Sequence, residues 1–288
     1  MKSAKKSARP PSHALILSEE DGIRFLHFGT PWVQGAMRIS RPTELVLDYT
    51  QDMMAALLLN TGGRSTAWPR TALQIGLGTA SLTKFLQRHR PQCRQTIVEI
   101  DPRVVRLAEQ SFRLRWSATS RHPGDAGWTP KAVRHGPETR PKRGLGNIHI
   151  EQGDGVAWLK ASEETFDLIL IDGFDADAKP GKLNGRSFYA HCRDRLSNNG
   201  VLVVNLLRRR SGMRLGVERI LDAFDNRVVA LPETEDGNTI VFATAGRPVR
   251  LSLAQLARRA AALRSVTGLD LAPLLTRMRA AGLTRIEL

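Results

Sequence analysis

Short apolar runs alternate with stretches of helical periodicity along most of the chain. Runs of strand length occur at residues 71–75, 95–98, 147–151, 166–171 and 200–206. Helical patterns follow them at 81–86, 102–112, 156–162, 187–196 and 213–224. Residues 227–231 and 239–244 are typical of a closing antiparallel pair. Strands that alternate with helices in this way predict a doubly wound, mostly parallel α/β sheet of the Rossmann-like kind.

The segments before this alternation predict a different unit. Apolar residues at 14–17 and 23–28 flank the polar turn 19–22, a pattern typical of a β-hairpin with a longer loop. A third strand is expected near residues 32–39, and a helix with Thr43 as its N-cap follows. These elements predict a small N-terminal β-domain.

The predicted organisation has three parts and one interruption. Residues 1–12 form a basic tail expected to be disordered, since it lacks the apolar core of a secretory signal. Residues 13–60 hold the N-terminal β-domain and its linking helix, and 61–288 form the nucleoside-binding catalytic domain. Residues 117–146, rich in Pro, Gly, Arg and His, predict a mobile surface insertion.

Composition narrows the class of protein. The 288 residues are 41% hydrophobic and 25% charged, as in globular proteins, and contain no apolar run of the ~20 residues that a membrane span needs. With 2 cysteines, a disulfide framework is excluded, and a cytoplasmic location fits best. The net charge of +15 is compatible with nucleic-acid binding, but no recognisable nucleic-acid-binding motif accompanies it, so we favour a protein that does not bind nucleic acid.

The first strand of the alternation leads into a glycine turn. Gly76-Leu77-Gly78-Thr79 separates the strand from the following helix, the arrangement of a nucleotide-binding start. Glu99 ends the next strand, 23 residues after Gly76 (99 − 76). At that position its two oxygens can accept both hydroxyls of a ribose.

Acidic residues also follow other strands of the predicted sheet. Asp101, Asp154, Asp172 and Asp175 stand at or just after strand ends. Ligands of open α/β sheets bind outside the carboxyl ends of the strands, which makes these residues candidates for one pocket. The structural alternative is that each Asp caps the following helix.

Several of these motifs together resemble those of one enzyme family. The resemblance includes Trp32 to Met37, Leu73 to Phe112, Gly153 to Gly155, Asp167 to Asp177 and Asn199 to Val201. The chain resembles the spermidine synthase (polyamine aminopropyltransferase) family, over residues 14–245 apart from the insertion. The resemblance implies a class I methyltransferase-type sheet, a transferase activity and a homodimer.

The resemblance also implies roles for single residues. Gln34 would contact the ligand, Glu99 would hold the ribose of decarboxylated S-adenosylmethionine, and Asp154 would bind the adenine amino group. Asp172 and Asp175 would be the catalytic pair that binds and deprotonates the attacking amine. The remaining predicted donor-binding residues are Gly76, Gly78, Thr79, Ile100, Gly155 and again Asp172. Tyr189 would line the amine site, although a Phe-Tyr pair in a helix is more often part of a core.

Aminopropyl transfer accounts for the carboxylates. An alkylamine is mostly protonated at pH 7, since a model lysine titrates near ~10.4, so a carboxylate must bind the cation and take its proton. A sulfonium is already an activated leaving group, and no metal is expected. The 7 histidines show no metal-ligand spacing.

The chain departs from the family pattern at three places. Thr79 stands where the family has an Asp that contacts the aminopropyl amine, and Asp172-Gly173-Phe174-Asp175-Ala176 replaces Asp-Ser-Ser-Asp-Pro. The segment from Tyr49 to Met53 lacks the expected His. Two alternatives therefore stay open: a methyltransferase that uses intact S-adenosylmethionine, and a nucleoside- or nucleic-acid-binding protein without turnover.

Overall fold

Strands and helices alternate through the residues that the computed structural model describes, which are 13–30, 32–60, 68–116, 147–173, 181–207 and 212–288. The strands are β1 (Ile16–Glu20), β2 (Ile23–His27), β3 (Val33–Arg38), β4 (Thr71–Ile75), β5 (Arg94–Glu99), β6 (Ile148–Gln152), β7 (Phe166–Ile171), β8 (Leu196–Leu207), β9 (Val228–Ala230), β10 (Asn238–Ala243), β11 (Arg250–Ser252) and β12 (Arg285–Glu287). The helices are α1 (Asp48–Met54), α2 (Ser81–His89), α3 (Pro102–Gln110), α4 (Gly155–Ala161), α5 (Arg186–Asp194), α6 (Gly212–Ala223), α7 (Leu253–Thr267) and α8 (Ala272–Ala280). The predicted tail 1–12 and insertion 117–146 lie outside these residues.

The central sheet has the strand order β6-β5-β4-β7-β8-β10-β9. Its first five strands are parallel to one another, and β10 runs antiparallel to both β8 and β9. The chain winds outward from β4 to β6 on one side and then continues from β7 on the other. The direction of winding therefore reverses at β4, where such sheets form their ligand crevice. The predicted doubly wound, mostly parallel sheet is confirmed.

Both faces of this sheet are covered, and β7 illustrates why its sequence is almost continuously apolar. Leu168 and Leu170 point into a core shared with α1, α2, α7 and α8. Ile169 and Ile171 point into a second core shared with α4, α5 and α6. Alternate residues of a strand face opposite sides, so a strand buried on both faces needs apolar residues at successive positions.

The small antiparallel sheet β1-β2-β3 precedes the central sheet. The β1–β2 connection is shorter than the loop expected from the sequence. It is a two-residue turn at Asp21 and Gly22, whose φ angles are +48° and +72°. Two successive residues with positive φ match the twist of a tight hairpin, and Asp-Gly is a favoured pair for that conformation.

The predicted start of the linking helix at Thr43 is wrong. The chain makes turns through this region, in which Glu44 N donates to Arg41 O at 3.0 Å. An ion pair of 2.9 Å between Arg41 Nε and Glu44 Oε2 accompanies that turn. The helix α1 begins only at Asp48, after Leu47 in an extended conformation. Local turn bonds thus compete with the cap that the Thr-Glu pattern suggested.

The C-terminal residues form an αβ unit that packs against α1. The pair β11-β12 was not predicted, because two three-residue strands separated by helices are too short to show alternation. Leu256, Leu274 and Ile286 join the core that contains Met53 and Met54. Among the described helices, none is both long and apolar enough to cross a membrane.

Candidate active site at the carboxyl edge of the sheet

The glycine turn after β4 brings two strand ends into direct contact. Gly76 has a φ of +89° and donates its backbone N–H to Val98 O at 3.0 Å. A Cβ atom at this position would lie 2.2 Å from the carbonyl oxygen of Asp172, which leaves space only for glycine. The ends of β4, β5 and β7 therefore meet at the point where the winding reverses.

Glu99 is buried beside this turn. Its Oε2 accepts a hydrogen bond from Leu77 N and its Oε1 accepts one from Asp101 N, each at 2.8 Å. Burial raises the pKa of Glu99, while these backbone N–H groups act in the opposite direction because they favour the ionised form. The carboxylate ties the glycine turn to the end of β5.

The aspartates after β5 and β6 both cap helices. Asp101 accepts from Arg103 N at 2.9 Å and pairs with the Arg103 guanidinium at 2.6 Å. Asp154 Oδ1 accepts from Val156 N and Ala157 N in the first turn of α4, at 2.8 and 3.2 Å. Gly153 N donates to Glu99 O at 2.9 Å, which places Asp154 close to Glu99 on the same edge. Asp154 therefore caps a helix and also lies at the edge of the sheet where the pocket is expected, so the two interpretations do not exclude each other.

Asp172, at the end of β7, is held from three directions. Its backbone N donates to Ile75 O at 3.0 Å. Its Oδ2 accepts from the Tyr49 hydroxyl at 3.3 Å, and its Oδ1 accepts from Asn205 Nδ2 at 2.9 Å. Burial raises the pKa of Asp172, and these two donors partly oppose that effect. Burial, and then the negative charge of Asp172, raise the pKa of Tyr49 well above its usual value, so the phenol stays protonated.

Strand β3 lies across the glycine turn. A Cβ on Gly78 would be 3.7 Å from Gln34 O, and one on Gly35 would be 2.6 Å from Thr79 Cγ2. The Thr79 and Ser81 hydroxyls are hydrogen-bonded at 2.8 Å, and Ser81 Oγ donates to Ala36 O at 3.0 Å. The N-terminal sheet thus closes one side of the site, and it brings Gln34 next to the turn.

Comparison with known proteins identifies the family to which this chain belongs. No family model matches the chain. The polyamine aminopropyltransferase of Neisseria meningitidis serogroup A is 31% identical over 264 residues, which are 92% of this chain and 88% of that protein. The chain belongs to the polyamine aminopropyltransferase family.

Two solved structures resemble this aminopropyltransferase-family fold. A probable spermidine synthase from Corynebacterium glutamicum has a TM-score of 0.65 at 15% identity, and the match covers 90% of this chain and 88% of that one. Human methyltransferase-like protein 13 in complex with SAH has a TM-score of 0.59 at 20% identity, over 77% and 93% of the two chains. At these identities the likeness shows the fold alone, and it is shared by two kinds of transferase.

The remaining predicted residues of this aminopropyltransferase-family chain have varied surroundings. Ile100 is 43% exposed, and it follows Glu99 at the sheet edge. Gly155 packs so closely that a Cβ would lie 2.4 Å from Ile75 Cγ2.

Tyr189 is fully buried in the core, and its hydroxyl donates to Asn184 Oδ1 at 3.0 Å. Its role in substrate binding stays a prediction, and Asp175 lies outside the described residues.

Sequence reasoning did not assign Tyr49 and Asn205 to the site. Tyr49 is on α1, 123 residues before the carboxylate that it contacts. Asn205 is a buried amide near the end of the apolar strand β8, and a polar residue in such a run is a signal that could have been used. In the part of the chain that the structure describes, no group of three or more His, Cys, Asp or Glu is arranged to hold a metal ion.

Proposed function

We propose that this chain transfers an aminopropyl group from decarboxylated S-adenosylmethionine to a polyamine-type amine. The observation that carries the proposal is the partly buried Asp172 carboxylate at the reversal point of the sheet, held by the Tyr49 hydroxyl and the Asn205 amide. A carboxylate in that position can receive a cation beside a bound nucleoside. The membership of the aminopropyltransferase family supports the same reaction.

In the proposed reaction, the amine nitrogen attacks the carbon next to the sulfonium sulfur. A C–N bond forms and the C–S bond breaks, and the electron pair of that bond goes to sulfur, so methylthioadenosine leaves as a neutral thioether. Asp172 accepts the proton that the amine must lose. Tyr49 and Asn205 keep both carboxylate oxygens at fixed positions, which favours a productive orientation of the nitrogen.

The proposed donor site is formed by the ends of β5 and β6 and the glycine turn. Both Glu99 oxygens already accept one backbone N–H each, but a carboxylate has about four acceptor sites, so two ribose hydroxyls can still be bound. The exposed Ile100 side chain offers an apolar surface for the adenine ring, and Asp154 would accept from its amino group. Gln34 would contact the donor from β3.

Calorimetric titration of donor binding, together with an assay of aminopropyl transfer, tests the proposal. We expect the protein to bind decarboxylated S-adenosylmethionine and methylthioadenosine more tightly than intact S-adenosylmethionine. Asp172→Asn should retain donor binding and lose transfer, because the amide cannot take the proton. Asp236→Asn, at an exposed position, is the matched control and should behave like the unchanged protein. Donor binding that disappears in Asp172→Asn, or transfer that survives it, would contradict the assignment of Asp172 as the base.

One observation favours a second candidate, a methyltransferase that uses intact S-adenosylmethionine. Where the family has a carboxylate, Thr79 is buried and its hydroxyl is bonded to Ser81, so this position carries no negative charge against a donor carboxylate. The same titration distinguishes the two candidates, because preference for the intact donor would support methyl transfer.

We also propose that the chain forms a homodimer through its N-terminal sheet. Strand β1 is the edge strand and all five of its residues are exposed. The exposed large apolar side chains here are Ile16 and Leu17 of β1, Val33 of β3 and Trp32 just before β3. An exposed strand edge with apolar neighbours favours association with a second chain. Light scattering after size-exclusion chromatography should give twice the chain mass, and a monomeric mass at micromolar concentration would contradict the proposal.

A further inference from the structure

A second asparagine lies behind the carboxylate of the candidate active site. Asn238 is the first residue of β10, and its Nδ2 donates to Asn205 Oδ1 at 2.9 Å. Asn205 in turn donates to Asp172 Oδ1 at 2.9 Å. The two asparagines are 6% and 4% exposed, so water has little access to either amide. The three side chains form one directed chain of hydrogen bonds from β10 through β8 to β7.

The backbone around Asn238 is fixed by a tight turn. Thr234 N donates to Asn238 O at 2.9 Å, and Asn238 N donates to Thr234 Oγ1 at 3.1 Å. Gly237 N donates to Thr234 O at 3.0 Å within the same turn. These bonds hold the backbone of Asn238 in place, and its side chain extends from there to Asn205.

The orientation of the Asn205 amide matters because its two ends have nearly the same shape but opposite hydrogen-bonding character. With Nδ2 toward Asp172, the amide stabilises the ionised carboxylate. With Oδ1 toward Asp172, two acceptors would face each other, and only a protonated Asp172 could bond to the amide. The N–H group of Asn238 selects the first orientation, since it needs an acceptor and Asn205 Oδ1 supplies it.

We propose that Asn238 is a positioning residue, which fixes the Asn205 amide so that Asp172 remains an ionised proton acceptor. The role of Asp172 as a proton acceptor rests on the proposed function, but the effect of Asn238 on the Asp172 pKa can be measured without turnover. Asp172 faces Tyr49 from α1 and Asn205 from β8, and in the part of the chain described here Tyr49 is the titratable side chain that bonds to it. A change at Asn238 therefore reaches Asp172 through Asn205.

The test is a titration of the Asp172 carboxyl by NMR in protein labelled with ¹³C at aspartate, with Asp172→Asn used to assign the signal. Asn238→Leu keeps the approximate size of the side chain and removes the donor. We expect its Asp172 pKa to rise by about one unit, and the acid limb of the kcat/KM profile to move by the same amount, because the carboxylate loses an oriented donor. Affinity for methylthioadenosine should not change.

Two further variants identify the route. Asn205→Leu should raise the Asp172 pKa by a similar amount, and Asn238→Leu in that background should add nothing, since residues that act through one contact are not additive. Asn199→Leu, at an exposed position on β8, is the matched control. If Asn238→Leu does not fold, Asn238→Ala removes the same donor with a smaller side chain and should raise the Asp172 pKa by a similar amount.

The results separate this inference from the proposed function. An unchanged Asp172 titration in a folded Asn238→Leu or Asn238→Ala, or an additive shift in the double variant, overturns the role of Asn238, whatever the activity. A protein that shows the predicted titrations but transfers no aminopropyl group retains the hydrogen-bond chain and loses the proposed reaction.

Discussion

The buried ion pair between α1 and α8 gives the most detailed prediction for stability. Arg277 Nη2 lies 2.5 Å from Asp52 Oδ2, and the two side chains are 23% and 4% exposed. Burial raises the pKa of Asp52 to about 6, although Arg277 acts to lower it. Asp52 is three residues after Tyr49 on α1, so the pair also anchors the helix that supplies a donor to Asp172. Replacing Arg277 by Met leaves the carboxylate buried without its partner.

The expected loss depends on pH in a defined direction. A buried charge that loses its partner costs about 3–5 kcal/mol. With a shift in Tm of roughly 2–4 °C per kcal/mol for chains of comparable size, Arg277→Met should melt about 6–20 °C lower at pH 8. The folded-state pKa of Asp52 is above its unfolded value of 3.8, so the folded protein favours the protonated carboxyl, and stability falls as pH rises from that value to about 6. At pH 5 the carboxyl is mostly protonated, and the loss should be much smaller.

Thermal unfolding of four proteins at pH 5 and pH 8 checks this reasoning. The unchanged protein and Arg277→Met are compared with Arg279→Met, an exposed arginine on the same helix, which should change Tm by only a degree or two. Asp52→Asn combined with Arg277→Met removes the lone charge and should recover most of the loss at pH 8. An equal loss at both pH values, or no recovery in the double variant, would refute the explanation by an uncompensated charge.

Three further predictions concern the site and its support. Gly76→Ala should lower Tm and abolish binding of methylthioadenosine, because its Cβ would lie 2.2 Å from Asp172 O at a φ of +89°; normal binding would contradict the packing. Glu99→Gln should weaken the binding of methylthioadenosine at least tenfold in calorimetry, since the amide –NH₂ would have to face one of the two backbone N–H donors. Unchanged affinity would contradict the claim that both Glu99 oxygens act as acceptors. Burial lowers the pKa of Lys84 to about 7, so the unfolded chain binds more protons than the folded one, and urea unfolding should show stability rising from pH 7 toward 10. Lys84→Met should flatten that rise. An equal slope in both proteins would exclude Lys84 as its source.

The central sheet could be predicted because its signals are local. Each parallel strand is a short apolar run, and the glycine turn at Gly76 precedes a helix within ten residues. The start of α1 could not be placed in the same way, since Thr43 offers a cap signal that the neighbouring turn overrides. The hairpin turn at Asp21 was also predicted longer than it is, because acidic residues extend into β1.

The support of the candidate site depends on contacts between distant parts of the chain. The Tyr49–Asp172 bond joins residues 123 apart, and the Asn238–Asn205 bond joins residues 33 apart on neighbouring antiparallel strands. Sequence spacing carries no direct signal for either contact. Acidic residues at strand ends could be identified because the sheet brings those ends together. The side chains that orient Asp172 come from α1 and β8, and β10 acts on it through Asn205.

The most direct measurement of the central claim is mass spectrometry of the amine and nucleoside products. The purified protein is incubated with a diamine and either decarboxylated or intact S-adenosylmethionine. With the decarboxylated donor, we expect a diamine extended by one aminopropyl group and an equal amount of methylthioadenosine. Asp172→Asn should give neither product. A methylated amine with S-adenosylhomocysteine from the intact donor, or no product from either donor, would contradict the proposed aminopropyl transfer.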